Sequence, residues 1–176
     1  MMTLITGGVK NGKSYYAERI LERFHGKKFY IATMIPRGEE AHTVIARHRK
    51  NRAGKGFETI EAYTDIEKII LPDGCGVLLE CVTNLCANEM FERRTGNVPF
   101  QNPVEKIIAG FEYLKNTAAE FVVVTNEVSS DGITYDRSTM EYIKNLCEIN
   151  RRAAEISDNV IECVCGIQIV WKGKKV

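Results

Sequence analysis

The fold of this chain is decided by one stretch, Thr3-Leu4-Ile5-Thr6-Gly7-Gly8-Val9-Lys10-Asn11-Gly12-Lys13-Ser14. A short apolar run leads directly into G-x-x-x-x-G-K-S, the pattern of a phosphate-binding loop, or P-loop. Gly7 and Gly12 permit a tight turn with positive φ, so that successive N–H groups point at a phosphate. Lys13 brings a positive charge to the β- and γ-phosphates, and the hydroxyl of Ser14 is a ligand for Mg²⁺.

The residues after the motif supply the context that it requires. Apolar residues recur with helical spacing and predict one buried helix face, made of Tyr16, Ala17, Ile20, Leu21 and Phe24. Strand, loop and helix thus follow in the required order, and the positive end of the helix dipole adds to the phosphate site. A glycine-rich turn that binds nothing is the alternative, and this context argues against it. The sequence predicts a nucleoside triphosphate site.

Composition is that of an ordinary globular protein. The chain has 176 residues, 44% of them hydrophobic and 27% charged, with a net charge of +1. This length favours one domain over residues 1–176. The near-neutral charge gives no reason to expect binding to nucleic acid, and no apolar run approaches the ~20 residues of a membrane span. A strand begins at the N-terminus and leaves no room for a signal peptide, so we expect a cytoplasmic protein.

The cysteines show no spacing typical of a metal site. They are Cys75, Cys81, Cys86, Cys147, Cys163 and Cys165, without a C-x-x-C pair. Several fall in predicted helices and strands, where cysteine usually behaves as a small hydrophobic residue. We therefore expect reduced thiols in the core, with a redox or metal site as the alternative.

Strand-like and helix-like segments alternate along the chain. Apolar runs predict strands at residues 28–33, 57–61, 76–81, 121–125, 159–165 and 167–171. Helical patterns occupy residues 39–52, 83–93, 102–114 and 138–157, and a polar loop spans residues 95–101. We expect an α/β fold, a P-loop NTPase domain of the RecA-like type with a mostly parallel sheet between helices. The last two strands are too close for a crossover helix, which predicts an antiparallel C-terminal strand.

Capping signals predict where three helices begin. Asn102, followed by Pro103, is a good N-cap, and Ser138 with Glu141 forms a capping box. Asp65 is expected to cap a short helix.

Pro72 and Gly74 are expected to end that short helix.

Polar residues at the ends of two buried strands are candidates for chemistry. Ligands of such sheets sit beyond the carboxyl ends of the strands. Glu80 stands where P-loop proteins keep the acidic residue that holds Mg²⁺, although that residue is most often Asp. A solvated charge is the alternative at Glu80. Asn126 and Glu127 face the same crevice in this interpretation, and an ordinary turn explains them nearly as well.

His48 lies on a basic helical segment with Arg47, Arg49, Lys50 and Arg52. From the pattern alone such a histidine is usually structural or solvated. The basic neighbours fit a triphosphate site and a solvated helix face equally.

A set of short motifs runs through the chain in a specific order. They are the segment 6–18 (TGGVKNGKSYYAE), Tyr30-Ile31-Ala32-Thr33, Ile45 to Arg52, Thr59-Ile60-Glu61, Glu80-Cys81-Val82-Thr83, Val124 to Val128, Asn150 to Ala154, and Gly166-Ile167. In this order and spacing the chain resembles the adenosylcobinamide kinase/adenosylcobinamide-phosphate guanylyltransferase family (CobU/CobP) of cobalamin biosynthesis, nearly from end to end.

The resemblance implies two activities in one domain. ATP or GTP would phosphorylate adenosylcobinamide with Mg²⁺, through Lys13, Ser14 and Glu80. GMP would then pass from GTP through a covalent bond to His48, and on to adenosylcobinamide phosphate. The remaining implied nucleotide contacts are Gly7, Gly8, Val9, Lys10, Asn11, Gly12, Ala32, Thr33, Met34, Arg49, Lys50, Asn51, Arg52 and Glu61. A homotrimer is also implied.

The chain departs from the family pattern in two places. Asn11 replaces the usual serine, and the segment after Val128 lacks the usual glycine and proline. The second departure concerns a loop that could shape the corrinoid site. Two other functions stay open, namely a P-loop small-molecule kinase without guanylyl transfer and a non-catalytic nucleotide-dependent switch.

Overall fold

The computed structural model describes residues 1–92 and 102–174. The strands are β1 (Met2–Thr6), β2 (Lys28–Ala32), β3 (Phe57–Glu61), β4 (Gly76–Glu80), β5 (Glu120–Val124), β6 (Asn159–Val164) and β7 (Ile167–Lys172). The helices are α1 (Lys13–Glu22), α2 (Gly38–Arg52), α3 (Val82–Phe91), α4 (Pro103–Thr117) and α5 (Arg137–Ile156), with a short 3-10 turn at Ile66–Lys68. The predicted polar loop at 95–101 and the predicted helix end at Arg93 lie outside the described residues.

The described strands form one sheet in the order β3-β2-β4-β5-β1-β6-β7. Neighbours are parallel from β3 to β6, and only β6 and β7 run antiparallel. The turn at Cys165 and Gly166 between them is too short for a crossover helix. The predicted α/β fold with a mostly parallel sheet and an antiparallel C-terminal strand is confirmed.

The central strands are apolar throughout because helices cover both faces of the sheet. In β4, Val77 and Leu79 pack with residues of α3, α4 and α5 on one face, whereas Leu78 packs with α1 on the other. All three side chains are fully buried. Continuous apolar runs of this kind are typical of parallel strands buried on both faces. This burial fixes the sheet edge at which the polar residues emerge.

One helix start agrees with its predicted cap and another does not. Oδ1 of Asn102 accepts a 2.9 Å hydrogen bond from the Val104 amide at the start of α4, as predicted. The capping box predicted at Ser138 is wrong, because α5 begins after Asp136. Oδ1 of Asp136 accepts the amides of Ser138 at 2.9 Å and Thr139 at 3.2 Å. A carboxylate also interacts favourably with the helix dipole.

The short helix after Asp65 is smaller than predicted. It is a single 3-10 turn that ends at Lys68, so neither Pro72 nor Gly74 terminates it. Asp65 occupies the position before the turn with φ of 57°, but its side chain makes no capping hydrogen bond. Its carboxylate instead pairs with Lys106 on α4, at 2.6 Å.

The cysteines are free thiols, but not all of them belong to the core. Cys75, Cys86 and Cys163 are buried and Cys81 is partly buried, whereas Cys147 and Cys165 are exposed. The prediction of core thiols is therefore wrong for these two. Cys147 lies on the outer side of α5, and Cys165 lies in the β6–β7 turn.

Within residues 1–92 and 102–174, no helix is long and apolar enough to cross a membrane. In the same part of the chain no group of three or more His, Cys, Asp or Glu side chains is arranged to hold a metal ion.

Candidate active site

The loop between β1 and α1 has the backbone of a phosphate cradle. Gly7 and Gly12 have φ of 131° and 86°, as the motif predicts, and Lys10 between them also has a positive φ, 62°. Gly7 has a second reason to be glycine, since an added Cβ would lie 2.3 Å from the carbonyl oxygen of Cys163 on β6. The N-terminus of α1 follows Gly12, and among the described residues no side chain caps it. Its free N–H groups and dipole favour an anion.

Lys13 is held inside this loop. Its Nζ donates a 2.6 Å hydrogen bond to the Gly8 carbonyl, and the residue is 6% exposed. Burial lowers the pKa of Lys13, while Cys163, Cys81 and Glu80 oppose the shift. A lysine folded against its own loop is placed to turn toward a phosphate that enters the cradle.

Asn11 ties the loop to the C-terminal hairpin. Its Oδ1 accepts a 3.3 Å hydrogen bond from the amide of Cys165 in the β6–β7 turn. An added Cβ on Gly12 would contact Cα of Gly166 in the same turn, at 3.8 Å. The side chain that departs from the family pattern therefore links the P-loop to the β6–β7 turn.

The loop opens into a cleft of about 880 Å³, called here the P-loop cleft. Its walls come from the loop, α1, the end of β4 and the end of β5. The lining residues are Val9, Lys10, Asn11, Gly12, Lys13, Ser14, Tyr15, Glu18, Met34, Arg47, Lys55, Glu80, Cys81, Val124 and Asn126.

Glu80 faces the P-loop across this cleft. Its Oε1 accepts a hydrogen bond from the hydroxyl of Ser14, and its Oε2 accepts one from the hydroxyl of Tyr30 at 2.9 Å. Carboxylate and hydroxyl oxygens are the protein ligands that suit Mg²⁺, which usually takes one or two carboxylates together with substrate phosphates. The donor set of Ser14 and Glu80 therefore fits Mg²⁺ bound to a nucleotide.

The two polar residues after β5 go to different places. Asn126 lines the P-loop cleft and donates a 3.1 Å hydrogen bond to Oγ1 of Thr83. Glu127 was expected to face the same crevice, but it lines a neighbouring surface depression. Its carboxylate turns toward the following loop, where it accepts the amide and hydroxyl of Ser129, both at 2.6 Å, and the hydroxyl of Ser130.

A second, smaller cavity of about 90 Å³ adjoins the cleft beneath α2 and is called here the α2 pocket. It shares Met34, Glu80 and Cys81 with the P-loop cleft. The full lining is Tyr30, Ala32, Met34, Ile45, Arg49, Arg52, Thr59, Glu61, Glu80, Cys81 and Asn84.

Two arginines of α2 enter this pocket in different ways. Arg49 pairs with Glu61 at 2.6 Å, and both side chains are about half exposed (60% and 47%). Arg52 is 7% exposed, and its guanidinium carbon lies 3.3 Å from the ring centroid of Tyr30. In the part of the chain that the structure describes, Nη1 of Arg52 has no hydrogen-bond partner. A buried donor without a partner is costly, which favours an anionic or acceptor group at this point when substrate is bound.

The other implied nucleotide contacts are not all in these cavities. Thr33 is fully buried. Its hydroxyl donates a hydrogen bond to the Cys81 carbonyl and accepts one from the Cys81 amide, both at 2.8 Å, and so holds the chain in place just after β4. Lys50 is exposed on α2 and lines neither cavity. The side chains of His48 and Asn51 lie outside what the structure describes, although both residues belong to α2.

Residues 3–171 match the sequence model of the cobinamide kinase / cobinamide phosphate guanyltransferase family, CobU. The chain belongs to this family. The prediction of a kinase and nucleotidyltransferase of cobalamin biosynthesis is confirmed at this level, and cobinamide and nucleotide substrates fit the family.

Relatives and a solved structure agree with the assignment. The chain is 29% identical over 183 residues to the bifunctional adenosylcobalamin biosynthesis protein CobU of Escherichia coli K12, covering 98% of this chain and 100% of the relative. It is 28% identical over 186 residues to the protein of the same name from Salmonella typhimurium LT2, with the same coverage.

Among solved structures, a prototypical ATPase from the type III secretion system of pathogenic bacteria superimposes with a TM-score of 0.52 at 12% identity. The match covers 92% of this chain and 50% of the ATPase chain. At this identity the likeness concerns the fold alone, and it agrees with the P-loop ATPase architecture.

Several lining residues of this CobU-family site were missed by sequence reasoning. Lys55, after α2, pairs with Glu18 at 2.6 Å and Glu22 at 3.0 Å, and joins the end of α2 to α1. Glu18 and Tyr30 lie within motifs that carry the resemblance, so membership of a motif was a usable signal for both. Lys55 offered none, because its role depends on where the loop after α2 packs.

Proposed function

We propose that this chain phosphorylates adenosylcobinamide with ATP or GTP and then converts the product to adenosylcobinamide-GDP with GTP. The observation that carries the proposal is the convergence of Lys13, Ser14 and Glu80 on one cleft, beside a second pocket lined by arginines of α2. One P-loop cleft and one adjoining pocket suit a kinase step and a nucleotidyl-transfer step in the same small protein.

In the kinase step, the P-loop amides and Lys13 bind the β- and γ-phosphates. Mg²⁺ held by Ser14 and Glu80 would neutralise charge on these phosphates. Lys13 leaves the Gly8 carbonyl and stabilises the phosphoryl group as it transfers to the hydroxyl of adenosylcobinamide.

In the second step, His48 attacks the α-phosphate of GTP, forms a bond to GMP and releases pyrophosphate. The phosphate of adenosylcobinamide phosphate then attacks the same phosphorus and frees the histidine. A ring nitrogen of histidine suits both roles, since it is a fair nucleophile near neutral pH and leaves well when protonated. His48 follows Arg47, a residue of the P-loop cleft, and precedes Arg49, a residue of the α2 pocket. Arg49 and Arg52 stabilise charge that develops on the phosphates.

We also propose that residues 1–176 act as one nucleotide-binding domain in a cytoplasmic homotrimer. These features follow from the family resemblance, and sedimentation of the purified protein tests the oligomeric state.

The decisive experiment incubates the protein with Mg²⁺ and α-labelled GTP, beside His48→Ala. His42→Ala is the matched control, since His42 is an exposed histidine on the same helix. Covalent label that is stable in alkali, lost in acid, retained in His42→Ala and absent from His48→Ala is the expected result.

The other outcomes separate the remaining functions. A wild-type protein that takes no label but phosphorylates adenosylcobinamide is a small-molecule kinase. One that binds GTP tightly, takes no label and shows no turnover with adenosylcobinamide is a nucleotide-dependent switch.

A further inference from the structure

Tyr30, in the middle of β2, contacts two residues that line these cavities, Glu80 with its hydroxyl and Arg52 with its ring. It is 4% exposed and lines the α2 pocket. Its hydroxyl donates a 2.9 Å hydrogen bond to Oε2 of Glu80, the carboxylate that also accepts from Ser14 through Oε1. Burial, followed by the nearby Glu80 charge, raises the pKa of the Tyr30 phenol well above its usual range.

The ring of Tyr30 performs a separate task. The guanidinium of Arg52 stacks on it at 3.3 Å from the centroid, in a site where Arg52 is 7% exposed. A cation over an aromatic face is attracted to it, more strongly when water is excluded. The ring thus holds a buried arginine in place at the wall of the α2 pocket, where Nη1 has no partner among the described residues.

Ser14, Glu80, Tyr30 and Arg52 therefore form a continuous series of contacts from the P-loop to the α2 pocket. We propose that Tyr30 is a positioning residue that sets Glu80 through its hydroxyl and Arg52 through its ring, and so links the two cavities. The inference rests on the proposed function, in which Arg49 and Arg52 of the α2 pocket stabilise charge on the phosphates of GTP, and it places the GMP part of GTP beside these two arginines.

The proposal predicts different effects for two substitutions of Tyr30. Tyr30→Phe removes the hydroxyl and keeps the ring, so Glu80 loses a charge-assisted hydrogen bond and Arg52 keeps its support. Tyr30→Leu removes both. If Tyr30 only filled space, Tyr30→Phe would change neither site, and Tyr30→Leu would weaken both together.

The test measures two affinities by titration calorimetry. ATP is titrated with and without Mg²⁺, which reports on the P-loop cleft. GMP, which lacks the β- and γ-phosphates, is titrated as a probe of the α2 pocket. In Tyr30→Phe we expect the gain in ATP affinity due to Mg²⁺ to fall about tenfold, as for a lost hydrogen bond to a charged group, and GMP affinity to change less than about twofold. In Tyr30→Leu we expect GMP affinity to fall about tenfold as well.

Two controls make the result specific. Tyr113→Phe removes a hydroxyl that donates a 2.8 Å hydrogen bond to the Ile69 carbonyl, away from both cavities, and should change neither affinity. In Glu80→Gln, adding Tyr30→Phe should cause little further loss of the Mg²⁺ effect, because the two residues act as one unit.

Several results would overturn the inference. If Mg²⁺ increased ATP affinity in Tyr30→Phe as much as in the wild type, the hydroxyl would not position Glu80. The same conclusion would follow if the losses of the Mg²⁺ effect in Tyr30→Phe and Glu80→Gln were fully additive. If Tyr30→Phe and Tyr30→Leu bound GMP with equal affinity, or if the wild type did not bind GMP, the ring of Tyr30 would not position Arg52 for a nucleotide. The ATP measurement stands even if no GMP-histidine forms, so failure of the guanylyltransferase proposal is distinguishable from failure of this one.

Discussion

The hydroxyl of Ser14, in the first turn of α1, donates a hydrogen bond to Oε1 of Glu80 at the end of β4, 66 residues along the chain. The contact follows from the strand order, because β4 and β1 are separated only by β5 and all three are parallel. Parallel strands end at the same edge of the sheet, so the loop after β1 and the last residue of β4 meet there. The contact between Ser14 and Glu80, on which the proposed kinase site depends, is thus a product of the topology.

Glu80→Gln tests the role of this carboxylate. Glutamine keeps the shape and one acceptor oxygen, so it can accept from Ser14 or from Tyr30 but not from both, and it removes the charge that suits a divalent cation. We expect the kcat of adenosylcobinamide phosphorylation to fall roughly 10–100-fold, with an increased requirement for Mg²⁺. Steady-state kinetics at varied Mg²⁺ measure both quantities.

Glu162→Gln is the matched control for this substitution. Glu162 is also near the end of a parallel strand, and its Oε2 accepts a 2.9 Å hydrogen bond from Nε1 of Trp171 outside the cleft. Its loss should leave phosphorylation unchanged. Equal kinetics for Glu80→Gln and the wild type would remove Glu80 from the kinase site.

The features that sequence could predict are those set by local pattern. Gly7, Gly12 and Lys13 were predicted from the motif, and each has a backbone or contact that fits a phosphate cradle. The central strands β1, β4 and β5 were predictable because burial on both faces demands unbroken apolar runs. The polar end of β4 followed from the same argument.

The features that sequence could not predict depend on packing between distant residues. The start of α5 was misplaced because Ser138 matches a local capping pattern, whereas the carboxylate of Asp136 is the group that accepts the helix amides. The stacking of Arg52 on Tyr30 joins the last residue of α2 to the middle of β2, two positions that are 22 residues apart in the chain. No spacing rule reports such a contact.

Gly7→Ala tests the tight approach of the P-loop to β6. A Cβ at this position would lie 2.3 Å from the backbone oxygen of Cys163, and φ is 131°. Because backbone must shift, we expect the free energy of unfolding to fall by roughly 1–3 kcal/mol or more. Urea unfolding measures the loss.

Gly8→Ala is the comparison for stability. Among the described residues its Cβ would meet the side chain of Asn11, with Nδ2 at 2.9 Å, and a side-chain end moves more easily than a strand. The stability loss should be clearly smaller than in Gly7→Ala. If Gly7→Ala were as stable as Gly8→Ala, the close approach to Cys163 would not constrain the loop.

The carboxylate of Asp136 is expected to stabilise the start of α5, and this stabilisation depends on pH. Hydrogen bonds from Ser138 and Thr139 hold the pKa of this carboxyl well below its usual range. A depressed folded-state pKa means that the stabilisation is complete above the unfolded value, about 3.9, and is lost as the pH falls through the folded value. Asp136→Ala should therefore be less stable than the wild type at pH 7, with a difference that shrinks below about pH 4.

Asp136→Asn separates the cap from the charge. Asparagine is a comparable N-cap but does not titrate, so its advantage over Asp136→Ala should persist in acid. Thermal unfolding of the three proteins between pH 7 and pH 3 measures this. A difference between wild type and Asp136→Ala that does not change with pH would contradict the assignment.

Lys106 on α4 forms a buried ion pair with Glu89 on α3, and we expect its substitution to destabilise the fold strongly. Its Nζ lies 2.6 Å from Oδ1 of Asp65 and 2.8 Å from Oε1 of Glu89, and the Lys106 and Glu89 side chains are 6% and 1% exposed. Lys106→Met removes the buried cation that pairs with both Asp65 and Glu89, so we expect a loss of roughly 3–5 kcal/mol in urea unfolding.

Lys68 supplies the matched control for that experiment. Its Nζ pairs with the same Oδ1 of Asp65 at 3.0 Å, but its side chain is 71% exposed. Lys68→Met should cost less than about 1 kcal/mol, because water screens an exposed pair.

The double variant Lys106→Met/Glu89→Gln should recover much of the stability, since glutamine removes the buried charge and can still accept the Asp65 amide, which donates to Oε1 of Glu89 at 2.7 Å. Equal losses for Lys106→Met and Lys68→Met would mean that burial does not decide the strength of this cluster.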